Sequence, residues 1–331
     1  MLRLVLFVLA ALLAAAPAEA QHAGAFARMG LGARAATLGA SAADVYGEAS
    51  PYHNPALAPF QRAQALEFSA GVLPFGRDWQ AVQAGAPLRP RAGIAAGIVR
   101  AGMTDIDGRD ASGYHTGTLS TDEYAFFVAF GTRLTGRVAG GLGLRFYRAD
   151  VGLGVRAPSA VGVSAGVAAQ LSERVAIGVA AEDLFARYAW NAAPVGGTTT
   201  DRFPLRLRAG TAVRAAERVL LTADVEGALA LASARFPTGI DVIAGTPAAT
   251  DSTARYRLAS LQGRLGAEWQ PAEAFALRAG VDRLGGDALR PSAGFAVRQR
   301  LGEAGLRLDY AATLEPFATG VMHLATIRVE L

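Results

Sequence analysis

From residue 65 to the end of the chain, apolar and polar positions alternate with a period of two. Leu66, Phe68, Ala70 and Val72 interleave with Glu67, Ser69 and Gly71. Tyr124, Phe126, Val128, Phe130, Thr132 and Leu134 repeat the pattern, as do Val175, Ile177, Val179 and Ala181. Such alternation predicts strands with one apolar and one polar face. The segments fall at 65–72, 79–88, 92–101, 122–134, 137–149, 158–171, 174–185, 203–215, 218–230, 255–269, 274–284, 291–301, 304–315 and 320–331. That makes about fourteen strands of roughly ten residues, the length a tilted strand needs to cross a bilayer.

The connections alternate too. Residues 135–136, 172–173, 216–217 and 302–303 are tight turns, and 89–91 and 270–273 are nearly as short. Between them fall longer loops at 103–121, 186–202 and 232–254. Short turns at one end and long loops at the other predict an antiparallel outer-membrane barrel, with both chain ends on the short-turn side.

One strand face is Leu, Val, Phe and Ala. The other carries Arg145, Glu182, Arg206, Arg208, Asp224, Glu226, Arg264, Glu268, Arg278, Asp282, Arg298, Arg300, Arg307, Asp309 and Arg328. An Arg facing lipid at the midplane costs about 2–4 kcal/mol, so this face is expected to line the lumen. Both signs are present, which predicts a ladder of ion pairs that packs the wall; the alternative is a selective solute path. Trp79, Trp190 and Trp269 fall near strand ends, with Tyr188 beside Trp190, and are expected in an aromatic girdle at the membrane interface.

Residues ahead of the strands read differently. Arg3, the apolar run 4–16 and Ala18-Glu19-Ala20 form a secretory signal over residues 1–20. Residues 21–62 are rich in small side chains and punctuated by Gly39, Gly47, Pro51 and Pro55, too short of large apolar groups to build a core. They are expected to fill the barrel (63–331) as a plug of two or three short helical turns. Ser41 with Asp44 is a weak helix start. Asn54 before Pro55 is a stronger one, with Pro59 as its end. The many strand glycines would let plug backbone approach the wall.

Composition narrows the chemistry. The chain is 52% hydrophobic and 18% charged, and all 32 basic side chains are Arg, giving a net charge of +4. No basic block is interleaved with aromatics, so nucleic acid is not an expected partner. The absence of Cys excludes disulfides, thiolate metal sites and a lipoprotein anchor. His22, His53, His115 and His323 share no metal-ligand spacing and suggest no catalytic triad. Gly140-Gly141-Leu142-Gly143 lies within a strand, not at a phosphate-binding turn. Asp105, Asp107 and Asp110 with Gly108 offer alternate carboxylates in a loop but lack a distal Glu and are opposed by Arg109, which favours a solvated loop over a calcium site. No catalytic, cofactor-binding or metal site is expected, and no enzymatic activity.

The plug stretch Gly32-Ala33-Arg34-Ala35-Ala36-Thr37-Leu38-Gly39, then Ala43-Asp44, then Asn54-Pro55-Ala56, resembles the N-terminal signature of the PorV/PorQ family, outer-membrane barrels related to the FadL transporters. Later stretches resemble the same family: 203–210 (Phe-Pro-Leu-Arg-Leu-Arg-Ala-Gly), 221–226 (Leu-Thr-Ala-Asp-Val-Glu), 265–268, 277–280 and 308–310. Leu57 replaces the Gly often found after Asn-Pro-Ala, and the chain ends in Leu331 rather than Phe. The resemblance implies a fourteen-stranded barrel set in outer-membrane lipid, with Gly32, Ala33, Arg34, Gly39, Asp44, Asn54, Pro55 and Ala56 shaping or gating the plug. It implies a shuttle or attachment component of type IX secretion, whose partners are cargo with a C-terminal β-sandwich signal domain and the translocon. The FadL side of the resemblance implies instead a transporter of hydrophobic small molecules.

Overall fold

In a computed structural model of the chain, residues 23–28, 30–39, 41–46, 50–152, 156–192, 197–240, 247–284, 289–314 and 320–331 are described. The expected signal segment and His22 lie outside them. Fourteen strands close into one antiparallel barrel, and two more form a separate hairpin. The barrel strands are β1 (Ala65–Leu73), β2 (Arg77–Leu88), β3 (Ala92–Arg109), β4 (His115–Arg133), β5 (Val138–Asp150), β6 (Ser159–Gln170) and β7 (Val175–Leu184). After the hairpin β8 (Arg187–Ala192) and β9 (Gly197–Arg202) come β10 (Leu205–Ala216), β11 (Val219–Ile240), β12 (Pro247–Ala272), β13 (Phe275–Leu284), β14 (Arg290–Leu301), β15 (Ala304–Leu314) and β16 (Val321–Glu330). Each barrel strand pairs with its neighbour in sequence, β7 with β10 across the hairpin, and β1 closes on β16 with Ser69 opposite Thr326.

All fourteen expected strands are present. Two of the expected long loops are in large part strand. β3 and β4 stay paired as far as Arg109 and His115, and β11 and β12 as far as Ile240 and Pro247. The run around Asp105 is therefore a ladder with a bulge rather than a loop. Asp107 there binds His115 and Arg109 at 2.6 and 2.7 Å, and no cluster of metal-ligating residues occurs among the described residues. The third expected loop holds the hairpin, which the Gly- and Pro-rich run 193–197 and the polar run 198–202 concealed.

The outer face explains why the barrel forms. Phe68, Phe126, Val128, Leu144, Val179, Leu207, Leu265, Leu308 and Ile327 are exposed around the circumference. A soluble monomer rarely leaves a contiguous apolar patch beyond a few hundred Å², and a closed barrel leaves no unpaired strand edge in lipid. At the short-turn end, Thr135 and Ser172 use one device. Each hydroxyl accepts hydrogen bonds from the two backbone N–H groups that follow the turn. No described helix is long and apolar enough to cross a membrane.

Of the expected aromatic girdle only Trp269, 52% exposed, faces outward. Trp79 is 1% exposed and points into the lumen, because β2 sets it opposite lumen-facing Gly71. Trp190 sits on the hairpin and packs against the interior cluster, as does Tyr188.

Candidate functional site

The interior of the barrel is built in three zones. The middle one is the plug. Helix α1 (Gly32–Leu38) starts after Leu31, not at Ser41, so Ser41 and Asp44 open no helix. Instead each side chain accepts a backbone N–H two residues on, from Ala43 and Tyr46. Gly32 opens α1 at φ +86° and Gly39 ends it at φ +71°, conformations that favour glycine. The 3-10 turn Pro55–Phe60 is capped by Asn54, whose Oδ1 accepts the Ala56 N–H at 3.0 Å. Pro59 lies inside this turn rather than ending it.

Polar wall residues hold the plug backbone. Thr326 Oγ1 accepts the Ala33 N–H at 2.9 Å and meets Ser69 Oγ at 2.9 Å across the closing seam. Thr222 donates to Leu38 O at 2.8 Å, and Asp224 accepts the Ala42 N–H at 2.8 Å. Asn54 Nδ2 donates to Ala42 O at 2.7 Å, tying two plug segments together, and reaches Val167 O on β6. Where the plug touches the wall, glycine gives it room. A Cβ on Gly131 would stand 2.5 Å from Pro55 O, and one on Gly266 2.5 Å from Leu38 O. Gly141, from the run considered for phosphate binding, faces Pro55 and Ala56 in the same way.

Around and below the plug runs a belt of ion pairs. Arg145, Glu182, Arg206, Asp183, Arg208, Glu226, Arg264 and Asp282 form one chain across β5, β7 and β10 to β13, with Arg206–Glu182 at 2.7 Å, Arg264–Glu226 at 3.1 Å and Arg264–Asp282 at 2.8 Å. A second chain enters the plug: Asp44–Arg34–Glu268–Arg278–Asp309–Arg307, at 2.5, 3.1, 2.6, 2.5 and 2.7 Å in that order. The structure thus brings eleven of the fifteen lumen-facing charges named from sequence into two networks; Asp224 binds the plug backbone instead, Arg328 pairs with Glu67 and Glu330, and Arg298 and Arg300 line the short-turn opening. Arg34 and Asp44 of the plug signature lie in the second. Ala33, Asn54 and Ala56 act through backbone contacts or capping, and Gly32, Gly39 and Pro55 through shape. Asp183, which the alternation from Val175 to Phe185 puts on the apolar face, instead joins the belt because a bulge in β7 turns it inward at φ +63°.

The belt opens at the short-turn end into a vestibule of about 950 Å³. Its lining includes Arg62, Arg214, Arg298, Arg300 and Glu303. Toward the long-loop end the chemistry reverses. Phe26, Tyr52, Trp79, Phe127, Tyr147, Tyr188 and Phe203 form one buried cluster with Leu73, Val99 and Met322. Tyr147 and Phe203 have centroids 4.6 Å apart, and Tyr188 and Phe203 4.9 Å. Arg145 marks the border, its guanidinium 4.2 Å over the Tyr52 ring. This cluster was missed from sequence. Its signal was available: Tyr147 shares the strand parity of Arg145, and an aromatic on the charged face belongs to the lumen.

No family model matches the chain, and no curated protein matches it. Solved structures do. The Ralstonia pickettii toluene transporter TbuX superposes with a TM-score of 0.59 at 13% identity over 91% of this chain and 97% of that one. The monoaromatic hydrocarbon channel CymD gives 0.59 at 14% identity over 92% and 98%. A Pseudomonas aeruginosa FadL homologue gives 0.55 at 12% identity over 96% and 99%. The shared feature is the fold, a fourteen-stranded barrel of outer-membrane type. These neighbours are on the FadL side of the resemblance, and none is a PorV or PorQ protein.

Proposed function

We propose that the chain is an outer-membrane channel for hydrophobic small molecules. The observation that carries this reading is the apolar, ring-rich filling of the long-loop half of the lumen, where Trp79, Phe127, Tyr147 and Phe203 of the wall and of the segment before β10 pack with Phe26 and Tyr52 of the plug. Apolar ligands are bound predominantly by such side chains. The similar structures with toluene and monoaromatic hydrocarbons in their names support the same choice. The ion-pair belt beneath it holds the plug and lies between the ring cluster and the vestibule. The test is uptake of radiolabelled toluene and of a disaccharide by cells expressing the protein in their outer membrane. Faster toluene entry with unchanged disaccharide entry is expected. Equal entry with and without the protein would sink the reading.

A second reading, a type IX secretion shuttle, rests on the plug signature from Gly32 to Ala56 and on the polar ladder by which β3 and β4 outrun the apolar band. Affinity purification from the native outer membrane in mild detergent separates the two. Exported proteins sharing a C-terminal β domain would favour the shuttle. A bound apolar ligand with no protein partner would favour the channel.

A further inference from the structure

The vestibule at the short-turn end holds about 950 Å³ of open space, and one side of it collects like charge. Register sets Arg298 opposite Arg307 and Arg307 opposite Arg328, so three arginines stand side by side in one lumen-facing row on β14, β15 and β16. All three line the cavity. Like charges directly opposite one another on a sheet are destabilising.

Two more arginines join them. Arg300 is the next lumen-facing position toward the opening on β14, and Arg62 comes from the joint between the plug and β1. Neither has a hydrogen bond or ion pair among the described residues. The carboxylates that answer this group are Asp309 on Arg307 at 2.7 Å and Glu330 and Glu67 on Arg328 at 2.8 and 3.4 Å. Asp309 is shared with Arg278 at 2.5 Å. Five arginines thus meet three carboxylates, one of them already divided. Glu303 stands on the turn three residues from Arg300, about 10 Å along the strand. At physiological salt that separation is largely screened, so Glu303 does not cancel the charge.

The same wall is indented. Gly305 is opposite Arg300 on one side and Glu330 on the other. A Cβ on Gly305 would find its nearest neighbour 3.5 Å away, so a side chain would fit there and glycine leaves the place open. Room and charge coincide at this point. The cavity is of the size that small molecules occupy, and guanidinium forks match carboxylate and phosphate groups two bonds at a time.

We infer that the β14–β16 wall of the vestibule binds a small anion carrying two or more carboxylate or phosphate groups. It sits over Gly305 among Arg298, Arg300, Arg307 and Arg328, with Arg62 closing the mouth side. A second oxyanion group lets one ligand bridge the row and the outer arginines and turns their mutual repulsion into shared attraction. The site lies across the ion-pair belt from the ring cluster and does not rest on the channel reading.

Citrate and pyrophosphate are the probes, with acetate as the single-charge control and spermidine as the cation control. Isothermal titration of the purified full-length protein in non-ionic detergent measures Kd for each. Citrate or pyrophosphate is expected to bind at least about tenfold tighter than acetate, and the tighter of the two assigns the carboxylate or the phosphate source. Arg300→Gln should weaken that binding by about tenfold by removing a donor fork. Gly305→Val should weaken it by as much with no change of charge, by filling the indentation. Arg218→Gln, on the far side of the vestibule, should change it by less than about twofold. An unchanged urea midpoint reports that each variant has folded. Acetate binding as tightly as the multivalent anions, no binding by any anion, or affinity unmoved in both Arg300→Gln and Gly305→Val would overturn the inference. Spermidine outbinding them would overturn it in favour of a cation site at the turn glutamates.

Discussion

Around Tyr147 the lumen is filled by rings; around Arg264 it is filled by guanidinium and carboxylate groups. Both fillings are packed to the wall, but they respond to damage differently. A ring cluster is held by non-directional contact, and loss of one member leaves neighbours that can shift. A buried ion-pair chain is held by matched charges, and loss of one member strands its partners in a medium that solvates them poorly. Arg206 shows the difference. It is 2% exposed and serves both Glu182 and Asp183, and no other described cation lies within 3 Å of either carboxylate.

Arg206→Leu should therefore have the largest effect, about 3–5 kcal/mol of lost stability, read as the urea midpoint of the barrel in lipid vesicles. A loss under about 1 kcal/mol would mean that water reaches the belt. Asn54→Ala comes next. It removes the donor to Ala42 O and the cap on Ala56 N together, for about 1–3 kcal/mol, and should raise entry of large antibiotics as the plug loosens. Unchanged permeability and unchanged heat stability would show that the plug is held elsewhere. Phe203→Leu, in the ring cluster, should cost about 1–2 kcal/mol and leave the urea slope unaltered. If it matched Arg206→Leu, the contrast between the halves would fail.

The smallest effect is a pH dependence at His53. Burial first, and then Arg208, Arg145, Arg264 and Arg206, hold this plug imidazole well below its ordinary value of 6.5. The unfolded chain takes up a proton near 6.5 while the folded one does not. The stability His53 contributes is thus complete above 6.5 and is lost as pH falls toward the depressed folded value. Urea midpoints at pH 7.5 and pH 5.5 should differ in this direction, and His53→Gln should shrink the difference. An identical difference in the variant would assign it to carboxylates.

The strand halves of both regions were legible because a one-residue slip would turn charge into lipid, so periodicity fixes the face of each strand. Arg206, Arg208, Asp224 and Glu226 could be placed inward for that reason, and Asn54 before Pro55 carries its own capping chemistry. What pairs with what was not legible. Register depends on turn lengths such as residues 74–76 between β1 and β2, and it is register that sends Trp79 inward. Asp183 was hidden by a bulge that breaks the period of two, and α1 by the lack of a side-chain cap at Leu31. The hairpin β8–β9 was hidden by the Pro194-Val195-Gly196-Gly197 run and the threonines after it, which read as a loop although Tyr188 and Trp190 pack inward.

The contact of Ala33 with Thr326, and of Thr326 with Ser69, lies on the seam between the first strand and the last. The plug is joined covalently to the first strand and bonded to the last. Until the final strand is in place, the first turn of its helix lacks the Thr326 hydroxyl that accepts the Ala33 N–H. The two ends of the chain thus close the wall and seat the plug at one shared contact. A chain truncated before Val321 would lose the sealed wall and the seated plug in one stroke.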